Sequence, residues 1–281
     1  MLRASRCVVA IALSSVLALA AARTSVARAE SPPAREGRAF EVDANVGLAA
    51  FVAIADGYLQ KMADALQVLA LSEQARSGKW ADIEHPLGEV GRLNAAALNW
   101  FALPDGSYWS VQNGREKGNL STRPYFPKAL AGKTVLGDLV VSKATSKSVA
   151  IVAVPVKGRD GAIVGVLGAS VYLKPLSDRI REEMKLGKEL IFYSFDATPR
   201  LALVWDEGLI FTNPKEFGPE VDRAFTDMLS RERGIVRYTF RDTPRTVVFS
   251  KSPVTGWWYA LGIVGPTRSG TAERGPGAHG R

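Results

Sequence analysis

Val149-Ala150-Ile151-Val152-Ala153-Val154-Pro155 runs into Lys157-Gly158-Arg159-Asp160-Gly161, and a second apolar run follows over 162–173. Asp-Gly between two β-rich runs is the strongest short-range hairpin signal a sequence offers. Reading upstream, Arg123-Pro124-Tyr125-Phe126 leads into a short helical stretch that stops near Gly132. Pro104-Asp105-Gly106 is a turn between strands over 97–103 and 108–111. Before these lies a long helix over about 40–77. Its residues Phe51, Ala55, Tyr58, Met62, Leu66 and Leu69 recur at spacings of 4, 3, 4, 4 and 3, a single stripe at helical period. Ser77-Gly78 is its stop, and a shorter helix spans about 87–97.

Reading downstream, a connecting helix covers 176–186. Strands then span 190–195 and 201–205, an Asp206-Glu207-Gly208 turn opens into 209–211, and an amphipathic helix covers 219–230. Three more strands span 234–240, 245–250 and 257–264. Trp257-Trp258-Tyr259 packs this unit, and alternation along a strand leaves one of the three for the surface. Both halves read as a small antiparallel sheet with helical cover, so the fold class is α+β.

The chain has 281 residues, 47% of them apolar and 23% charged, which is globular composition. Net charge is +8, and four of the basic residues (Arg3, Arg6, Arg23, Arg28) fall in the first 29 residues, which hold no acid. The remainder carries +4, and no nucleic-acid footprint is needed to explain it. Residues 1–29 have the form of a signal peptide: a basic start, the 16-residue run CVVAIALSSVLALAAA, and Ala27-Arg28-Ala29 before Glu30. That places the mature chain in the periplasm or outside the cell, with an uncleaved anchor as the alternative. Cys7 is the single cysteine and lies in this segment. Disulfides, thiolate metal sites and cysteine catalysis are thereby excluded from the mature chain. The Gly-rich tail over 267–281 reads as disordered.

The stretch Arg123-Pro124-Tyr125-Phe126-Pro127-Lys128-Ala129-Leu130-Ala131-Gly132 resembles the motif of extracytoplasmic Cache sensor domains. It is followed by Ser142-Lys143-Ala144-Thr145-Ser146-Lys147, Val152-Ala153-Val154-Pro155-Val156 and Asp160-Gly161-Ala162-Ile163-Val164-Gly165-Val166-Leu167-Gly168. With the long helix before it and Thr255-Gly256-Trp257 in the second unit, the chain resembles a double Cache protein over most of 38–265. The resemblance implies a long N-terminal helix bracing two PAS-like modules. The domains are then 1–29 signal peptide, 30–97 helical region, 98–186 outer ligand-binding module, 187–266 second module and 267–281 tail. It also implies a small-molecule sensor for signal transduction such as chemotaxis. Members usually sit between two membrane spans above an effector. This chain shows neither a second span nor an effector, so a message would pass to a membrane receptor or sensor kinase. The long helix is a candidate for homodimerisation.

The resemblance also singles out residues. An arginine at Arg123 meets the ligand carboxylate in amino-acid-binding relatives, with an aromatic two positions on, here Tyr125. A guanidinium fork suits that role chemically; the alternative is that the pair only caps and packs the module. Where such relatives place an aspartate for the ligand ammonium, this sequence has Ser170. A hydroxyl supplies no compensating charge, so the expected ligand is a small organic anion without an obligatory ammonium. Trp109, Tyr172 and Lys143 complete the candidate ligand-binding set, and Tyr108 stands with them. No metal ligand set, cofactor fingerprint or catalytic residue is expected. The only histidines are His85 and His279, no Gly-x-Ser-x-Gly elbow surrounds Ser170, and no loop has calcium-ligand spacing. The reading is therefore a binding protein, not an enzyme. The alternative is an envelope interaction or assembly module that has lost ligand binding.

Overall fold

Leu48, Phe51, Ala55, Leu59, Met62 and Leu66 lie fully buried along one face of the first helix, α1 (Ala44–Ala70). The structure, a computed structural model, describes residues 43–265. The signal-peptide, tail and helix-start readings before residue 43 or after 265 lie outside the described residues. Asp43 caps α1 by accepting from the Asn45 amide at 2.8 Å. The helix stops at Ala70, short of the expected 77. The Ser72 hydroxyl accepts from the Ala75 amide and restarts the chain as α2 (Glu73–Arg76). Next comes α3 (Trp80–Arg92), earlier than the expected 87–97. It carries Pro86 inside, which gives up one ladder bond and crowds the carbonyl of Asp82 a turn earlier, while Ile83 and Leu87 stay buried on one face.

The first sheet uses β1 (Ala97–Ala102), β2 (Ser107–Ser110), β3 (Gly114–Asn119), β4 (Val135–Val141), β5 (Ser148–Lys157) and β6 (Ile163–Tyr172). The short helix α4 (Phe126–Leu130) stands between β3 and β4. Strand order is β3-β2-β1-β6-β5-β4, antiparallel throughout. The Asp160-Gly161 hairpin joins β5 to β6, with Ala162 N–H bonded to Asp160 Oδ1 at 3.1 Å and Gly161 at φ +84°. Sequence patterning leaves β3 and β4 unassigned. β3, Gly-Arg-Glu-Lys-Gly-Asn, is a charged edge strand with no apolar alternation. β4 is interrupted by a bulge at Gly137, φ +89°, which breaks its period.

After α5 (Leu173–Met184) the second sheet forms from β7 (Leu190–Phe195), β8 (Leu201–Val204), β9 (Arg233–Phe240), β10 (Thr243–Lys251) and β11 (Trp258–Val264). Two 3-10 turns, Glu207–Leu209 and Pro214–Phe217, lead to α6 (Pro219–Leu229) between β8 and β9. Strand order is β8-β7-β11-β10-β9. Setting β3 aside, the two sheets share one topology, with a helix inserted at the same point of each.

Each sheet is covered on both faces. Along β5, Val149, Ile151 and Ala153 face α4, and Ala150, Val152 and Val154 face α1. Along β7, Ile191, Tyr193 and Phe195 face α6, and Phe192 faces α1. One core thus runs under both sheets against α1, and each module keeps a second, separate core on its other face. Double cover also corrects the expectation for Trp257-Trp258-Tyr259: all three are buried, Trp258 on the α6 side and the other two on the α1 side.

The modules are also joined directly. Trp257 Nε1 donates to the Gly137 carbonyl at the β4 bulge (3.0 Å), and Arg200 Nη2 donates to the Leu139 carbonyl (3.0 Å). On the other side of the same turn, the buried Asp56 of α1 accepts from Ser252 Oγ (2.6 Å) and the Tyr259 hydroxyl (2.7 Å).

Candidate functional site

The front face of the first sheet, under α4 and the segments around 120–125 and 142–147, holds a small cavity. Strands β1, β2 and β6 supply its floor through Leu98, Trp100, Tyr108 and Ser170. Arg123, Tyr125, Ser142 and Lys143 close it from above. Alternation on β2 turns Tyr108 to this side and Trp109 to the other. Trp109 there stacks on Trp80 of α3 at 6.4 Å, under the Arg115 guanidinium.

Four of the six sequence-derived candidates therefore meet: Arg123, Tyr125, Ser170 and Lys143. Trp109 lies on the opposite face. Tyr172 sits beyond the cavity at the end of β6, with the Lys147 ammonium over its ring at 4.7 Å. Sequence reasoning missed Trp100, which fills most of the space. Its Nε1 donates to Ser170 Oγ at 3.1 Å, and its ring lies where a Cβ on Gly168 would stand at 2.1 Å. Gly165 makes the same room for Phe101. The Gly165-Val166-Leu167-Gly168 spacing was the available signal: two glycines on a central strand mark a close approach by bulky neighbours.

The chemistry of the rim is cationic. Arg123 Nη2 donates to the Val141 carbonyl (2.7 Å). Lys143 Nζ donates to the Asn119 carbonyl (2.9 Å) and to Thr122 Oγ1 (3.2 Å). Neither cation bonds a carboxylate, and no carboxylate lines the cavity. Burial holds the Tyr125 hydroxyl well above the usual phenol range, so it is a neutral donor at all ordinary pH. Tyr108 is raised by burial first and by the Glu116 charge second. The site thus offers two positive charges and neutral hydroxyls, a set that suits an anion.

Its volume is about 10 Å³, roughly the space of one water. A larger apolar groove of about 510 Å³ lies elsewhere, between the start of α1, the end of α5 and the back of the second sheet. It lacks a converging set of polar groups, so size and chemistry point to different places; the chemistry makes the smaller cavity the candidate site. Among the described residues no group of three or more His, Cys, Asp or Glu could hold a metal, and no helix is long and apolar enough to cross a membrane.

No family model and no curated protein matches the chain in sequence. Solved structures do match in fold. The ligand-binding domain of the Pseudomonas aeruginosa amino acid chemoreceptor PctB, in complex with L-Arg, is 14% identical with a TM-score of 0.61, over 79% of this chain and 93% of that one. The ligand-binding domain of the Pseudomonas fluorescens chemoreceptor CtaA, in complex with L-alanine, is 17% identical, TM-score 0.59, over 80% and 95%. That of the P. aeruginosa receptor PctC, in complex with GABA, is 18% identical, TM-score 0.58, over 78% and 94%. The chain has the fold of these domains, the double Cache architecture.

Proposed function

We propose that this chain is an exported sensor domain that binds a small organic anion in its first module and does no chemistry on it. The observation that carries the reading is the convergence of Arg123 and Lys143, two cations bonded only to neutral oxygens, on a cavity without a carboxylate. A carboxylate makes stronger, charge-assisted bonds to these groups than a backbone carbonyl does. Ligand entry is then an exchange of partners. Arg123 leaves Val141 O, Lys143 leaves Asn119 O, and the segments they hold lift off the cavity as Trp100 turns aside. Domains of the same fold in complex with L-Arg, L-alanine and GABA support a ligand role for this architecture. Ser170, where those ligands' ammonium would need a carboxylate, directs this chain towards acids. The message would pass to a separate membrane receptor or sensor kinase, with α1 available for self-association.

A second reading has its own support. The cavity's small volume, filled by Trp100, is what an interaction module that has lost ligand binding would show.

A thermal-shift screen of the chain against organic acids, amino acids, amines and sugars separates the two. A ligand at 100 times its Kd adds about 2.7 kcal/mol, on the order of 5–10 °C in midpoint. The expected result is a shift with small acids that Arg123→Ala weakens. Response to amines alone overturns the anion assignment, and indifference to every class moves the function to the interaction reading.

A further inference from the structure

The second module contains a buried guanidinium with unmet donors. Arg245 stands on the α6 face of β10, is 8% exposed, and lies opposite Tyr238 of β9 in the sheet register. Its Nε and Nη1 have no hydrogen-bond partner. Rings stand in place of oxygens: the guanidinium carbon is 4.6 Å from the Trp205 ring centre and 4.4 Å from that of Phe240. An aromatic face partly offsets the lost hydration of the charge. It supplies no oxygen to these two N–H groups, and a buried cation with unmet donors is costly. The charged or titratable groups acting on it are the Tyr238 and Tyr193 hydroxyls and the like charge of Arg241; no carboxylate is among them. Burial correspondingly lowers its proton affinity from the usual arginine value.

This side chain borders a cavity of about 20 Å³ with aromatic and aliphatic walls. The deep end is fixed by a hydrogen-bonded pair, Tyr238 hydroxyl to Tyr193 hydroxyl at 3.1 Å. The outer end is closed by Trp205 and Phe217, both only half-buried, with Phe217 beside Gly218 at φ +99°. A single buried cation, apolar walls and two rim aromatics match a small acid with a short apolar body.

We propose that the second module carries its own binding site for a small monocarboxylate, anchored by Arg245, with the rings of Trp205, Phe217 and Phe240 around the ligand's apolar part. Entry requires the rim rings to turn outward, since the cavity as it stands holds about one water. The site shares no residue with the one around Arg123 and stands or falls independently of it.

The test uses the full chain carrying Arg123→Ala, so that the first site is weakened, and titrates sodium propionate against sodium chloride at equal ionic strength. Propionate is expected to raise the melting midpoint saturably, on the order of 5–10 °C at a hundredfold excess over Kd. Adding Arg245→Met should abolish that response and, without ligand, leave the midpoint equal or higher, because methionine removes an unpaired buried charge. A lower midpoint for Arg245→Met together with indifference of the Arg123→Ala chain to propionate would show a purely structural arginine and overturn the proposal. An equal rise with chloride overturns the carboxylate assignment. Should Arg245→Met not fold, the Arg245 Nε resonance in the Arg123→Ala chain answers directly: a propionate-dependent shift supports the site, and a static resonance overturns it.

Discussion

The two modules run the same strand order with a helix inserted at the same point, yet they fill the space under that helix in opposite ways. In the first, Gly168 lets the large Trp100 ring sit down on the sheet, and the cations stay at the rim on backbone carbonyls. In the second, the space is packed with rings in contact, among them Tyr193–Phe225 at 5.4 Å, Phe195–Phe225 at 4.8 Å and Phe217–Phe240 at 5.0 Å, and the cation is inside. Topology therefore sets where a pocket can be, and a handful of side chains sets what it can hold. The back faces differ as well. α1 meets both sheets through apolar side chains, and towards the second it adds a buried carboxylate that gathers hydroxyls from the 252–259 segment.

The largest expected effect is on the two fillings. Trp100→Ala and Phe225→Ala should each cost about 3–5 kcal/mol in denaturant unfolding. Only Trp100→Ala should enlarge the acid range bound at the Arg123 site, as calorimetric titration with longer-chain carboxylates would register. Equal gains from both variants would erase the contrast between the modules.

Next in size is the asymmetric attachment of α1. Asp56→Ala strands the hydroxyls of Ser252 and Tyr259 in a buried setting and should cost about 1–3 kcal/mol. Hydrogen exchange should quicken in β10 and β11 well before β5 and β6; uniform quickening would mean that α1 serves both modules alike. Asp56→Asn keeps an acceptor and should lose less.

The smallest effect lies at the surface where α1 meets α5. Glu183 accepts from the Tyr58 hydroxyl and pairs with Arg179 at 3.0 Å, and these contacts, the hydroxyl first, hold its carboxyl below the usual glutamate range. A carboxylate lowered on folding stabilises above its unfolded pKa, and the contribution fades as pH falls through the folded one. The pair is solvent-exposed, so Glu183→Gln should cost at most a few tenths of a kcal/mol at neutral pH and nothing in strong acid. A pH-independent loss would assign the effect to packing instead.

Much of this was legible in the sequence because period carries it. The stripe on α1, the Asp-Gly hairpin and the strands of the second sheet all declare themselves by spacing. β3 and β4 do not: one is a charged edge with no buried face to pattern, and the other is broken by a glycine whose role depends on Trp257, 120 residues away. At the site, Arg123, Tyr125, Ser170 and Lys143 could be named from motif and chemistry. Trp100 was harder: Gly165 and Gly168 announce that bulky neighbours come close, but an aromatic in a buried strand looks the same whether it plugs a cavity or fills a core. Arg245 was passed over for a related reason: nothing in a strand written Thr-Pro-Arg-Thr-Val-Val says that the arginine faces inward.

The turn over 252–257 is anchored on two sides at once, to the α1 carboxylate through Ser252 and Thr255 and to the β4 bulge through the Trp257 indole. It works as a coupling pin between two plates mounted on one shaft. β4, the strand whose Val141 carbonyl holds Arg123, is thereby joined to the helix by a short path of polar contacts.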